Sequence, residues 1–161
     1  MRANDDAPIC RPMQPADLAT VARISAEALP DYPEGEFVFA ERLRLFPQGC
    51  FVVEGSEILG YAISYPWTHG APPRLNSELG ALPAQPTTYY IHDIALRPEA
   101  HGRGLAKVLI EQIEATAKAE GFHNLSLVSV NGSAAFWSKH GFQASSTPTG
   151  YVGGVYMDRQ I

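Results

Sequence analysis

The sequence predicts a single mixed α/β domain, and three observations carry the prediction. The chain has 161 residues, enough for one proper core and too few for two ordinary ones. Strand-like and helix-like segments alternate along it, with no internal repeat and no linker. Near the middle, a β-prone run, a glycine-rich turn and an amphipathic run follow one another in TTYYIHDIALRPEAHGRGLAKVLIEQIEATAKAEG, and LSLVSV completes one βαβ-type unit.

Taken in order, ICR at residues 9–11 reads as a short first strand. PADLATVARISAEALP opens on Pro15, which suits a first helical turn, and Leu18, Val21, Ala22 and Ile24 give it an apolar face. Pro30 and Pro33 stop it. EGEFVFAERLRLFP is a second helical stretch, closed by Pro47. CFVVE, a Gly-Ser turn and EILGYAISYP make a hairpin of β-branched and aromatic residues. From Pro66 to Pro86 the chain is rich in Pro and Gly and lacks periodicity. A loop of that length in a compact domain is expected to be functional or mobile, so it is set over a substrate site, with a plain surface loop as the alternative.

TTYYIHDIAL is the next strand. The helix after the glycines runs from about Arg103 to Glu120, with Leu105, Leu109, Ile113 and Ala117 on one face and Gly121 as its stop. LSLVSV is a strand, SAAFWSKH a short helix ended by Gly141, and GFQASS and GYVGGVYM are the last two strands.

Bulk properties exclude several function classes. The net charge of −5 argues against a broad nucleic-acid-binding surface, so any anion site must be a local basic cluster. No apolar run reaches the length of a membrane span. The opening MRANDDAPIC is polar and acidic without a signal-peptide core, and the cytoplasm is the expected compartment. Cys10 and Cys50 show no CxxC spacing and read as buried free thiols rather than as zinc ligands or a disulfide; no metal is expected.

The glycine turn is where chemistry enters. A turn that opens a helix presents free backbone N–H groups at the positive end of the helix dipole, and such a turn binds phosphate or pyrophosphate. Side chains at Gly102 and Gly104 would hold an anion away from those groups. Arg97, His101, Arg103 and Lys107 add local positive charge to an acidic protein. The alternative is a tight turn whose glycines serve backbone angles only. Neither GxxxxGK[ST] nor GxGxxG is satisfied.

IALRPEAHGRGLAKVLI resembles the acetyl-CoA-binding motif of the GNAT N-acetyltransferase superfamily, Arg/Gln-x-x-Gly-x-Gly/Ala after a strand and x-Pro. Gly104 and Ala106 match, while His101 stands where the family has Arg or Gln. VNGSAAFWSKHGF resembles the family's second signature, and the element order agrees over nearly the whole chain. The resemblance implies a mixed central sheet flanked by helices on both faces, and acetyl-CoA as co-substrate. It implies that the turn of His101, Gly102, Arg103, Gly104, Leu105 and Ala106 wraps the pyrophosphate. Ile94, Ala95 and Leu96 would pair with the pantetheine arm, and Asn131, Ser133 and Trp137 would stand along the rest of it. Phe136 is expected in the core.

Acetyl transfer to an amine needs a base for the ammonium proton and a polarised thioester carbonyl, but no covalent enzyme intermediate. Strand alternation sets Tyr90 and His92 on one face and Tyr89, Ile91 and Asp93 on the other. The resemblance allows His92 or Asp93 as base. His92 is preferred because imidazole titrates near the working pH, and Asp93 is second; either residue can instead be purely structural. Many family members carry a Tyr that protonates the leaving thiolate where Trp137 stands here. An indole N–H donates a hydrogen bond but is no proton-transfer acid. Ser138, Tyr151 and Tyr156 are the substitutes considered, beside unassisted departure. The function expected is an N-acetyltransferase acting on a primary amine of a small molecule or peptide, with a homodimer left open. The alternative is an acyl-CoA sensor without turnover, which Trp137 alone supports.

Overall fold

The computed structural model describes residues 7–161, and the opening MRANDD lies outside the described residues. The elements are β1 (Ile9–Pro12), α1 (Leu18–Ala28), α2 (Glu36–Leu45), β2 (Cys50–Glu54), β3 (Ile58–Trp67), β4 (Thr88–Leu96), α3 (Leu105–Ala119), β5 (Asn124–Ser129), α4 (Ala134–Lys139), β6 (Gln143–Ala144) and β7 (Val155–Gln160). They build a seven-stranded sheet in the order β1-β2-β3-β4-β5-β7-β6. Only β4 and β5 run parallel, joined through α3. The architecture is the mixed sheet with flanking helices that the sequence predicts.

The helices sit where their apolar stripes can be buried. On α3, Leu105, Leu109, Ile110, Ile113 and Ala117 are buried against the sheet. On the other side, Phe39 of α2 meets Tyr61 of β3 edge to face at 5.9 Å. Tyr89 points the opposite way, towards Phe46 and Phe122. The core is therefore split by the sheet into two layers. The thiol of Cys50 is buried and pushed up to about 12 by that burial, while Cys10 is half-buried; neither is a reactive thiolate.

Two strand expectations need correction. The last strand begins at Val155 rather than in GYVGG, because Gly150 and Gly153 take left-handed φ values of 76° and 71° and turn the chain there. The strand expected over GFQASS shrinks to Gln143–Ala144.

Strand alternation also fails inside β4. Ile63 pairs with Asp93, yet the next residue, Ser64, pairs with Ile91, so β4 carries one extra residue at His92. Such a bulge inverts the facing of everything beyond it. Tyr90 pairs with Tyr65, and Asp93 with Ile63, which share one face of β3. Asp93 therefore joins Tyr90 and His92 on the side of α1 and α2, against the alternation expected from sequence.

β3 and β4 must lie close for this register to hold. A Cβ on Gly60 would stand 2.4 Å from Leu96 Cδ2 and 2.7 Å from the Ala95 carbonyl oxygen. Gly60→Ala is expected to destabilise the fold by about 1–3 kcal/mol, lowering the thermal midpoint by about 3–10 °C; an unchanged midpoint would show that the strands yield without cost.

Candidate active site

The parallel pairing of β4 and β5 is short, from Tyr89–Leu125 to Ile91–Leu127. Both strands continue beyond it, so they diverge and leave a gap. A cavity of about 640 Å³ opens there. Its walls are β4 from Ile91 to Leu96, Leu127 and Val128 of β5, the end of α1, and the turn before α3. Past Ile91 one edge of β4 has no strand partner, so its backbone groups are free to pair with an extended ligand.

Of the residues singled out from sequence, His92, Asp93, Ile94, Ala95, Leu96, His101, Gly102, Ala106, Asn131, Ser133 and Trp137 line this cavity. Arg103, Gly104 and Leu105 are in the same turn but outside the wall. Phe136, expected in the core, is 39% exposed and lines the cavity too. Ser138 is exposed on α4. Tyr151 donates its hydroxyl to the Pro73 carbonyl, and Tyr156 accepts from the Gly70 N–H; neither belongs to the described wall. His69 pairs with Asp158 on the surface at 3.0 Å.

At one end of the cavity lies the turn. Gly102 and Gly104 adopt φ values of 76° and 75°, a region that costs any residue with a Cβ, and open space surrounds both. Helix α3 begins at Leu105, so its first N–H groups have no intrahelical acceptor. Arg97 and His101 line the cavity at this end. The arrangement is a basic cradle of backbone donors.

At the other end lie His92 and Asp93. His92 Nε2 is 2.8 Å from Glu34 Oε1, and its Nδ1 is 3.0 Å from the Tyr65 hydroxyl. Both ring nitrogens are engaged, and the side chain is 2% exposed. Burial alone would raise the Glu34 carboxyl, but His92, the Asn76 N–H and Arg42 outweigh it and hold Glu34 below the usual carboxylate range. Asp93 accepts a hydrogen bond from the Tyr61 hydroxyl. Burial pushes its carboxyl up to about 6, with the Glu34 charge adding to the rise and His92 and Tyr61 opposing it. A carboxylate so tuned in a cleft is a candidate acid–base group.

Sequence reasoning missed Glu34 and Tyr65. Glu34 sits between α1 and α2 in a Pro-Gly stretch with no periodic signal, 58 residues from His92. The long loop is tied down by the same region. Glu34 accepts from the Asn76 N–H, Glu41 from the N–H groups of Leu79 and Gly80, and Arg42 donates to the Ser77 carbonyl. The loop is anchored beside Glu34, but none of its residues lines the cavity, against the expectation that it lies over the site.

A family model described as the Acetyltransferase (GNAT) family matches residues 17–142. The chain belongs to this family of CoA-binding acyltransferases. No curated protein matches it significantly in sequence. Among solved structures it is similar to the loading GNATL domain of CurA from Lyngbya majuscula, with a TM-score of 0.80 and 14% identity over 96% of this chain and 98% of that one. It is similar to the GphF GNAT-like decarboxylase in complex with isobutyryl-CoA, with a TM-score of 0.76 and 17% identity over 94% of this chain and 98% of that one. It is also similar to the ribosomal-protein-S18-alanine N-acetyltransferase from Escherichia coli, with a TM-score of 0.67 and 19% identity over 96% and 94%. At these identities the likeness establishes the fold. Among the described residues no helix is long and apolar enough to cross a membrane.

Two outcomes are expected. Ala106 is in the first turn of α3 and faces the cavity. An aspartate suits a helix N-terminus but repels an anion. Ala106→Asp should leave the midpoint within about 3 °C of the parent and abolish the stabilisation given by free CoA. Asp93 binds its proton more tightly folded than unfolded, so its own contribution to stability is fullest below pH 4 and is lost as pH rises through about 6. Asp93→Asn should therefore be the more stable form at pH 8, by about 2–3 kcal/mol, with the difference vanishing near pH 3.5 in parallel denaturant titrations.

Proposed function

We propose that the protein is an acetyl-CoA-dependent N-acetyltransferase acting on a primary amine. The observation that carries the reading is one cavity joining an anion cradle at Gly102–Ala106 to a tuned carboxylate at Asp93. The cavity suits CoA: free N–H groups and Arg97 for the pyrophosphate, an open strand edge for the pantetheine amides, and apolar walls for its methylenes. When bound, acetyl-CoA supplies the acyl group as an activated thioester.

The chain's own residues do the rest. Asp93 takes the ammonium proton, so that the free amine can attack. Asp93 is favoured over His92, the residue preferred from sequence, because both His92 nitrogens are committed to Glu34 and Tyr65. His92 then orients the strand around its neighbour. Trp137 forms an apolar wall, 8% exposed and edge to face with Phe142 at 5.3 Å. No group in the described wall replaces the usual Tyr, so as the C–S bond breaks the thiolate takes its proton from solvent, to which the acylated nitrogen gives up its second proton; a thiolate whose thiol has a pKa near 8.5 leaves without great penalty.

The first test is thermal unfolding with acetyl-CoA at about 100 times its Kd, which should stabilise by about 2.7 kcal/mol, or about 5–11 °C. The second is thiol release across a panel of amines. No release with any amine despite binding would favour the sensor reading instead. With an accepted amine, kcat/KM should fall tenfold per pH unit below about pH 6 as Asp93 is protonated. Asp93→Asn should lose about 10²–10⁴-fold in kcat and abolish that limb.

A further inference from the structure

The charges lining the cavity are segregated. Arg97 is the one Lys or Arg side chain in the described wall, and its Nε is committed to the Ile58 carbonyl at 2.8 Å. It stands four residues beyond Asp93, just past the end of β4, about 13 Å away in extended chain. Near Asp93 the wall is different. Ser25 of α1 lies beside the Tyr61 hydroxyl that holds Asp93. Ile24, its neighbour, and Ala28, one turn on, both face the cavity. Glu27 from the same turn adds a second carboxylate to the wall, and Glu34 stands behind His92. His92, the other basic group there, is paired with Glu34.

We infer that the acyl end of the cavity admits uncharged hydrocarbon acyl groups and rejects acyl groups that end in a carboxylate, with Asp93, Glu27 and Ala28 as the selecting residues. The inference rests on the CoA-dependent reading and deepens it. The carboxylate of a malonyl or succinyl group extends only a few bonds past the thioester, far short of Arg97. It would lie against Ile24 and Leu29, with Asp93 and the exposed Glu27 as its charged neighbours. A hydrocarbon tail meets Ile24, Leu29 and Ala28 instead, and gains by burial. Ala28 is the small residue of that group, so its size sets how far a branched tail can go.

Direct calorimetric binding at pH 8 tests this without any acceptor amine. Acetyl-, propionyl- and isobutyryl-CoA should bind within about tenfold of one another, and malonyl- and succinyl-CoA at least about tenfold more weakly than acetyl-CoA. Glu27→Lys, on an exposed position, and Asp93→Asn should each narrow that gap. Ala28→Phe should weaken isobutyryl-CoA more than CoA. The inference is overturned if malonyl- or succinyl-CoA binds as tightly as acetyl-CoA, or if neither charge variant narrows the gap. Failure of CoA and every acyl-CoA to bind would overturn the CoA-dependent reading with it; binding of CoA with no discrimination overturns the selectivity alone.

Discussion

Between Ile63 and Ser64 the ladder to β4 slips by one residue, and the slip determines what the site can be. Without it, Asp93 would face α3 and the second core layer. With it, Asp93 joins Tyr90 and His92 on the side of α1 and α2, where Tyr61 donates to Asp93 and Tyr65 and Glu34 hold His92. The bulge is also close to where β4 leaves β5. One local irregularity thus orients the titratable groups beside the gap opened by strand divergence.

Those groups are held by charges that are themselves buried. Arg42 and Glu41 form an ion pair with side chains 0% and 3% exposed. Desolvating such a pair is costly, and it persists only when hydrogen bonds satisfy the remaining donors and acceptors. Glu41 meets this condition through the long loop, but Arg42 Nε and Nη2 find no partner in the described structure. The Tyr65 ring, 5.8 Å from the guanidinium carbon, returns part of the loss as a cation–π contact. Order in the loop between β3 and β4 therefore depends on α2, and so does the environment of Tyr65 and His92.

Much of the fold was legible because its signals are local. The stripe on α3 and the proline stops of α1 and α2 follow from spacing alone, and the glycine turn from its composition. The cavity-lining residues of the turn and of Asn131 and Ser133 were legible through motif spacing. What was not legible depends on pairing between distant segments. The β4 bulge appears in no property of YYIHDIAL, since it exists only relative to β3. Glu34 gave no signal because its role is defined by a partner in another element. Phe136 was expected in the core, yet on the short α4 it is exposed and lines the cavity.

The left-handed glycines of the turn carry a further consequence. Their conformation is set by the chain itself: Ala100 and His101 are already fixed by N–H bonds to the carbonyls of Arg97 and Pro98, and α3 begins immediately after Gly104. The donors at the helix mouth are aimed before any anion arrives. An anion captured there would require little loop ordering, and the conformational entropy that a flexible phosphate loop would lose on binding is lost during folding instead.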